Sequence, residues 1–400
     1  MQTNTTRDKT IDFIKGILIL FVILGHTTLG LTDMYSFDDT MNGIANVIYS
    51  FHMPCFIAVS GFLYSEYVGN ASQGIFSRIG HKAFNILLPY VMISVIYWII
   101  KFALSNLIRE PVAVSSLISI PWKPIEFLWY LYALFLIYCV AYMADYVFAR
   151  LLPHFNYKME LLFVLFLIIA FTCYGSFHYE GFNYIAGFQM YFYLGCLIKK
   201  WLDKLDNRYA VLSLAVMSVL VEASGIVLQD DMSSNPLFSS LFERFTACIV
   251  TVFIFAVSYF LSRYCDFPKW LQTIGRDSMP FYAMNVIFVG GIRIILNRAG
   301  ITNMALQCIC GFAGSTAHRV VEINADEKTY ITKGDANQVN DAEPVAWSDV
   351  AGVPVFDIPV LGYPASFLGT TQGKFVFIVM LIIFTGITVL TDKKMEKTNG

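Results

Sequence analysis

Apolar stretches long enough to cross a bilayer follow one another along almost the whole chain. A membrane-spanning helix needs about 20 predominantly apolar residues. The pattern predicts an all-α polytopic membrane protein with about ten transmembrane helices. The candidate spans lie near residues 11–31, 44–65, 83–105, 127–149, 159–176, 182–200, 209–228, 243–263, 278–296 and 374–391.

The charges between these spans predict their orientation. Cytoplasmic loops of membrane proteins are enriched in Lys and Arg. Alternate connections carry such cations, from Arg7 and Lys9 before the first span and Arg78 and Lys82 before the third to a basic tail after the tenth. The intervening connections are poor in cations. We therefore expect a multi-pass protein of the cell membrane with both termini in the cytoplasm.

Residues 313–373 interrupt the pattern of spans. They contain no apolar stretch of membrane length and read as short strands, HRVVEI, KTYIT and PVFDIPVL, separated by Gly, Pro, Asn and Asp. We therefore expect three parts: a membrane domain of about nine helices over 1–312, a small β-rich segment on the non-cytoplasmic side over 313–373, and a last helix with its cytoplasmic tail over 374–400.

Composition supports the membrane assignment and narrows the choice of ligands. The chain is 57% hydrophobic and 14% charged, with a mean hydropathy of +0.60, which is typical of a protein surrounded by lipid. A net charge of -2 does not favour a nucleic-acid partner. The eight cysteines form no CxxC pair and no Cys/His cluster with the spacing of metal ligands, so no metal is expected.

Two histidines inside apolar stretches are the strongest sign of chemistry. His26 lies near the end of the first span and His52 in the second, at similar depth. Imidazole is costly in hydrocarbon and titrates near neutral pH. One of them could act as a base while the other positions a substrate. Pro54 would interrupt the helix nearby and free carbonyl groups for a polar site.

The sequence also predicts one polar face on the first helix. At 100° per residue, Asp12, Lys15 and His26 lie along one stripe. Ionisable groups in a span usually face the protein interior or a water-filled cavity. The alternative is that Lys15 and His26 extend to the two opposite membrane interfaces.

Several segments are similar to one known family. The runs RDKTIDFIKGILILFVILGHTT and YSFHMPCFIAVSGFLYS, with ILLPY, FLWYLYALF and IGRDSMPFYAMN further on, closely resemble the membrane acyltransferase-3 family. That family includes carbohydrate O-acetyltransferases and the fucose 4-O-acetylase-like branch. The resemblance extends over about residues 1–312.

This resemblance implies transfer of an acyl group, usually acetyl, from acetyl-CoA or another acyl-CoA to a hydroxyl of a carbohydrate, such as a cell-envelope glycan or a lipid-linked sugar. The family pairs a basic residue with a histidine as R-x10-H, which corresponds here to Lys15 and His26. Lysine keeps the charge of arginine but lacks its planar fork. The late segment commonly ends in histidine, where this chain has Asn285.

The candidate catalytic residues are His26 and Lys15, which the resemblance implies, together with Asp12 from the polar stripe and His52 from its similar depth. His26 would take the proton of the acceptor hydroxyl and return it to the departing thiolate. An acyl-enzyme on Cys55 is an alternative. Binding of the CoA phosphates is expected from two cytoplasmic cations, Arg78 and Lys82.

The region after residue 313 resembles the C-terminal part of endoplasmic-reticulum-type signal peptidases, through HRVV, KGDAN and the D-x-x-PV element. His318 matches the general base of that family, and Asp335 and Asp341 match its acidic positions. That family places its nucleophile in a Ser-Met-x-Pro element, to which Ser278 comes closest. Ser278 is expected on the cytoplasmic side of the membrane, opposite to His318. We therefore interpret the region as a peptidase remnant without a nucleophile. A membrane serine endopeptidase and a non-enzymatic transporter remain the alternative functions.

Overall fold

A computed structural model describes residues 7–32, 39–67, 74–103, 114–152, 154–173, 175–205, 207–227, 235–283, 285, 287, 289, 319–324, 328–333 and 345–347. The described part of the chain is mostly helical and has little strand. It divides into two units. The first unit comprises Met1–Lys82 with Trp122–Thr316, and the second comprises Ala83–Pro121 with Ala317–Gly400.

Eleven helices have both ends among the described residues. A π-helical segment, Ala83–Leu87, precedes the fourth, and a 3-10 turn, Glu126–Leu128, precedes the sixth. A further helix starts at residue 278. The eleven are α1 (Lys9–Thr32), α2 (Asp39–Tyr67), α3 (Ile75–Lys82), α4 (Leu88–Ala103), α5 (Val114–Ser119), α6 (Trp129–Leu151), α7 (Lys158–Thr172), α8 (Glu180–Leu205), α9 (Arg208–Val227), α10 (Pro236–Leu261) and α11 (Lys269–Arg276).

Six helical stretches among the described residues are long and apolar enough to cross a membrane. They coincide with six of the predicted spans, although the third begins eight residues earlier than expected. The stretches are Lys9–Thr28, Ala45–Tyr64, Ile75–Phe102, Trp129–Leu151, Arg208–Gly225 and Phe238–Leu261. The protein is therefore a helical membrane protein.

The remaining four predicted spans have different outcomes. The span at 159–176 forms α7, whose 15 residues reach about 22 Å, less than the roughly 30 Å of a hydrocarbon core. The span at 182–200 lies inside α8, which is long enough but less apolar. The helix at 278–296 is described only in its first part, and 374–391 lies outside the described residues. A total of ten spans stays a prediction.

Helices α2 and α8 pack closely in the centre of the first unit. A Cβ atom at Gly61 would overlap the backbone carbonyl of Phe192, and one at Gly195 would overlap that of Ala58. Small residues of this kind let two helix backbones touch inside a membrane. The contact holds α2, which carries His52, directly against α8.

Charged side chains bring several helix ends of the first unit together. Asp145 of α6 binds Lys158 at the start of α7, with 2.6 Å between Oδ1 and Nζ, and lies 3.9 Å from Arg78 of α3. Tyr259 of α10 donates a hydrogen bond of 2.5 Å to Asp8, beside the start of α1. The charge pattern assigns all these ends to the cytoplasm, and the contacts agree that the ends within each group lie on one side.

The second unit contains α4, α5 and a small antiparallel sheet. The Tyr90 hydroxyl of α4 donates a 2.5 Å hydrogen bond to the backbone carbonyl of Ile120. The sheet has the order β1-β2-β3, with Ile323 opposite Tyr330 and a bulge after Val320. Its strands are β1 (Arg319–Asn324), β2 (Thr329–Lys333) and β3 (Val345–Ala346).

These strands cover only part of the predicted β-rich segment. The first two overlap the expected strands HRVVEI and KTYIT. The third expected strand, PVFDIPVL, lies outside the described residues, as does most of the range 313–373. A separate β-rich domain in this range stays a prediction.

Candidate active site

A tyrosine joins the two histidines of the first unit. Tyr49 of α2 forms a 3.2 Å hydrogen bond between its hydroxyl and Nδ1 of His26 in α1. The same ring packs edge-on against His52, with 4.9 Å between ring centroids and an interplanar angle of 89°. The structure thus brings both His26 and His52 into contact with one tyrosine side chain. The short connection between α1 and α2 makes this arrangement possible.

The backbone of α2 fixes the protonation of His52. Nδ1 lies 2.6 Å from the carbonyl oxygen of Ile48, one turn earlier. Because a carbonyl only accepts hydrogen bonds, Nδ1 must carry a proton. In the neutral ring Nε2 then holds the lone pair. His52 is also 2% exposed, so its ring is held in place on all sides.

Pro54 does not break α2. The helix runs from Asp39 to Tyr67 through the proline. Proline lacks the N–H that would bind the carbonyl one turn earlier, which belongs to Ser50. The carbonyl that His52 uses is that of Ile48, so the expected supply of free carbonyls from Pro54 does not form this contact.

Two further aromatic side chains adjoin the histidine pair. The ring centroid of Phe127, in the 3-10 turn before α6, is 5.9 Å from that of His26. The Tyr282 hydroxyl donates to the backbone carbonyl of Phe127, and its ring packs 5.2 Å from Tyr130. The histidine pair therefore lies in an aromatic surrounding built from α1, α2, the start of α6 and the helix that starts at residue 278.

Sequence reasoning did not assign a role to Tyr49, Phe127 or Tyr282. Tyr49 precedes His52 by three residues and so shares its helix face, which is a signal that could have been used. The other two lie in the segments FLWYLYALF and IGRDSMPFYAMN, which the resemblance singled out. The contact of Tyr282 with Phe127, which in turn packs against His26, depends on the packing of helices that are distant in sequence.

Asp12 and Lys15 form a separate charged cluster at the start of α1. Lys15 Nζ is 3.0 Å from Asp12 Oδ1, and Arg7 Nε is 2.5 Å from Asp12 Oδ2. One buried carboxylate therefore serves two cations. Gly275 of α11 lies directly against the backbone carbonyl of Asp12, where no Cβ atom would fit.

The predicted stripe on α1 faces the protein, but its two ends are far apart. Ile19 and Val22, between Lys15 and His26, are at most 1% exposed. Eleven residues of helix separate Lys15 from His26 by about 16 Å along the axis. Lys15 therefore does not contact the histidine pair and can act only on a part of the substrate that lies at the other end of α1.

Arg78 belongs to a second charged cluster. Its side chain is 9% exposed and lies 3.9 Å from Asp145, while its guanidinium carbon sits 4.2 Å above the ring of Tyr142. Among the described residues, its Nε and Nη2 atoms have no hydrogen-bond partner. Asp145 is also bound by Lys158 and by the Tyr64 hydroxyl. The guanidinium is thus held in position with donors to spare.

Lys82 lies one helical turn after Arg78. Its Nζ atom is 3.8 Å from the ring centre of Tyr138, four residues before Tyr142 on α6. Such cation–π contacts hold a cation over an aromatic face. The two cations predicted to bind phosphate therefore lie over successive tyrosines of one helix.

Two other candidate positions lie in the core. Asn285 is 1% exposed and donates a 2.7 Å hydrogen bond to the carbonyl of Tyr282, while its Oδ1 has no partner among the described residues. Cys55 is fully buried, and Thr251 lies beside it. The positions matched to a peptidase, His318, Asp335 and Asp341, lie outside the described residues.

Comparison with known proteins gives the family. Residues 8–318 match the acyltransferase-3 family model, described as an acyltransferase domain. The chain is 31% identical to Nodulation protein NolL of Mesorhizobium japonicum over 157 residues, 38% of each protein. It is 39% identical to Nodulation protein NolL of Sinorhizobium fredii over 84 residues, 21% of this chain and 22% of the relative. The matches thus span less than half the length of these relatives, and no solved structure matches the chain.

The family model covers more than half of the chain, including α1 to α11 and the candidate residues His26, Tyr49, His52, Arg78 and Lys82. The chain belongs to the membrane acyltransferase-3 family and carries its acyltransferase domain.

Proposed function

We propose that this protein moves an acyl group, acetyl in the first instance, from acyl-CoA to a hydroxyl of a carbohydrate, either a cell-envelope glycan or a lipid-linked sugar. The observation that carries the proposal is the pairing of His26 and His52 around Tyr49 inside the membrane. Family membership supports acyl transfer, and the two charged clusters support a donor that carries phosphates.

The proposed reaction is direct. The acceptor hydroxyl gives its proton to His26 as its oxygen attacks the thioester carbonyl. The carbon–sulfur bond breaks, and the thiolate of CoA takes the proton back from the imidazolium. His26 can do this through Nε2 when its Nδ1–H donates to the Tyr49 hydroxyl. His52, with its Nε2 lone pair set by Ile48, positions the reacting groups.

The two charged clusters would bind different parts of the acyl-CoA donor. Arg78 has spare donors and is held by Asp145 and Tyr142, so it suits a phosphate oxygen of CoA, with Lys82 beside it. An arginine can bind such an oxygen through two N–H groups at once. Lys15 and Asp12 form an ion pair near the start of α1. This end of α1 is also expected to be cytoplasmic, so the Lys15 cation can face another negatively charged part of the donor.

The test follows an acetyl label across this site. Membranes that contain the protein are incubated with acetyl-labelled CoA, and the label is sought in carbohydrate as an alkali-labile ester. We expect labelling by the wild-type protein and by His154→Ala, which changes an exposed histidine far from the pair in sequence. His26→Ala should abolish it at an equal amount of protein in the membrane.

Two results would refute the proposal. One is the absence of an acetyl ester in any carbohydrate fraction. The other is an undiminished rate of labelling in His26→Ala, because a base with a required role cannot be dispensable.

A further inference from the structure

A group of aromatic side chains from α6 and α8 is connected to the histidine pair through Phe127. Trp129, the first residue of α6, stacks on Tyr184 of α8 with 5.4 Å between ring centroids and an interplanar angle of 26°. Phe188, one turn further along α8, packs 5.0 Å from the same indole. Trp129 follows Phe127 by two residues, and Phe127 contacts His26. The backbones of these two residues lie within about 7 Å of each other, and ring contacts lead from Trp129 through Tyr130 and Tyr282 to Phe127.

Polar groups accompany these rings. The Tyr184 hydroxyl donates a 3.2 Å hydrogen bond to Glu180 Oε2, at the exposed start of α8. The segment before α8 is held by Asn183, whose amide binds both the N–H and the carbonyl of Phe177, at 3.2 and 2.8 Å. Hydrogen bonds therefore hold the N-terminal end of α8, which carries Tyr184, and a carboxylate and a phenol hydroxyl lie beside the aromatic rings.

We propose that Trp129, Tyr184 and Glu180 form the subsite that holds the sugar ring of the acyl acceptor. This inference rests on the proposed function and adds the place and the residues of acceptor binding. One face of a pyranose presents C–H groups, which the electron-rich face of an aromatic ring attracts. Its hydroxyl groups need hydrogen-bond partners, which the Glu180 carboxylate and the Tyr184 hydroxyl supply. For transfer to occur, the acceptor hydroxyl must reach His26 past Phe127, whose ring centroid lies 5.9 Å from that of the imidazole.

An aromatic anchor in the membrane interface is the competing explanation, because Trp and Tyr are enriched there. The position of Trp129 favours the sugar. Its indole packs against two aromatic rings of α8, Tyr184 and Phe188, instead of standing alone. Trp201, at the other end of α8 and 41% exposed, provides the comparison with a more exposed indole.

The first measurement is binding without chemistry. Purified protein is titrated with methyl glycosides of fucose, galactose and N-acetylglucosamine, and tryptophan fluorescence is recorded. We expect a saturable change with at least one glycoside in the wild type and in Trp201→Ala, and none in Trp129→Ala. A panel that leaves the wild-type emission unchanged, or a change that persists in Trp129→Ala, overturns the subsite.

The second measurement is acetyl transfer to the glycoside that binds. Trp129→Ala should raise the KM for the acceptor about two- to tenfold, the range that aromatic contacts supply, and leave the KM for acetyl-CoA unchanged. Tyr184→Phe, which keeps the stacked ring, and Glu180→Gln should raise the acceptor KM by a smaller factor. An unchanged acceptor KM in all three variants overturns the subsite, as does equal loss of membrane-inserted protein in Trp129→Ala and Trp201→Ala.

The two measurements separate this inference from the proposed function. If the glycoside binds in a Trp129-dependent manner but no acetyl group is transferred, the subsite stands and the proposed reaction falls. If transfer occurs with unchanged acceptor KM in the variants, the reaction stands and the subsite falls.

Discussion

Tyr49→Phe tests whether the tyrosine between the histidines assists the base. The substitution removes the hydroxyl that meets His26 Nδ1 at 3.2 Å and keeps the ring that packs against His52. A hydrogen bond of this kind contributes about 0.5–1.5 kcal/mol. If the bond acts in the transition state, the loss corresponds to about a two- to tenfold lower kcat.

The assay is the initial rate of acetyl transfer from labelled acetyl-CoA, divided by the amount of protein in the membrane. Tyr209→Phe is the matched control, since it removes an exposed hydroxyl that accepts a 2.8 Å hydrogen bond from Arg208. The control should retain the wild-type rate. A Tyr49→Phe rate equal to that of the control would refute the role of Tyr49, and a rate as low as that of His26→Ala would show that Tyr49 does more than orient a ring.

Three further predictions concern the donor site, the first helix and the fold. Arg78→Met should raise the KM for acetyl-CoA about 10- to 100-fold, because hydrogen bonds to charged groups contribute about 1.5–3 kcal/mol. The control Arg150→Met removes an exposed cation over Tyr146 and should leave this KM unchanged. Equal effects of the two substitutions would contradict the assignment of Arg78 to the donor site. Lys15→Arg should preserve acetyl transfer because it keeps the ion pair with Asp12. Lys15→Met should lower the rate at sub-saturating acetyl-CoA. Equal rates for these two variants would exclude a role for the positive charge at position 15. Gly195→Ala should lower the thermal unfolding midpoint in detergent, since overpacking costs about 1–3 kcal/mol. Gly80 has open space around it, so Gly80→Ala should leave the midpoint unlowered. Equal midpoints for the two variants would argue against the close contact of α2 with α8.

The sequence predicts the class of fold well because each span carries its own signal. Apolar length alone identifies α1, α2, α6, α9 and α10 as membrane helices. The short α7 and the less apolar α8 show where this signal weakens. Helices that are buried among other helices do not need a uniformly apolar surface, so their spans are harder to count.

The candidate site is predictable only in part. The histidines stand out because polar groups are rare in apolar helices, and their proximity follows from the short link between α1 and α2. Asp145 does not stand out among the cations near it, yet it joins Arg78 and Lys158. Its role depends on the meeting of α3, α6 and α7, which no local pattern records. Tyr49 is similar, since a tyrosine near a membrane interface has many ordinary explanations.

The most direct test of the central claim measures the rate of acetyl transfer by the purified protein in lipid vesicles. Wild-type protein is compared with His26→Gln and His52→Gln at saturating acetyl-CoA and a fixed acceptor concentration. General base catalysis contributes about 100- to 10,000-fold, so the account predicts a loss of at least about 100-fold for His26→Gln and a smaller loss for His52→Gln. A His26→Gln protein that transfers acetyl groups at the wild-type rate would contradict it.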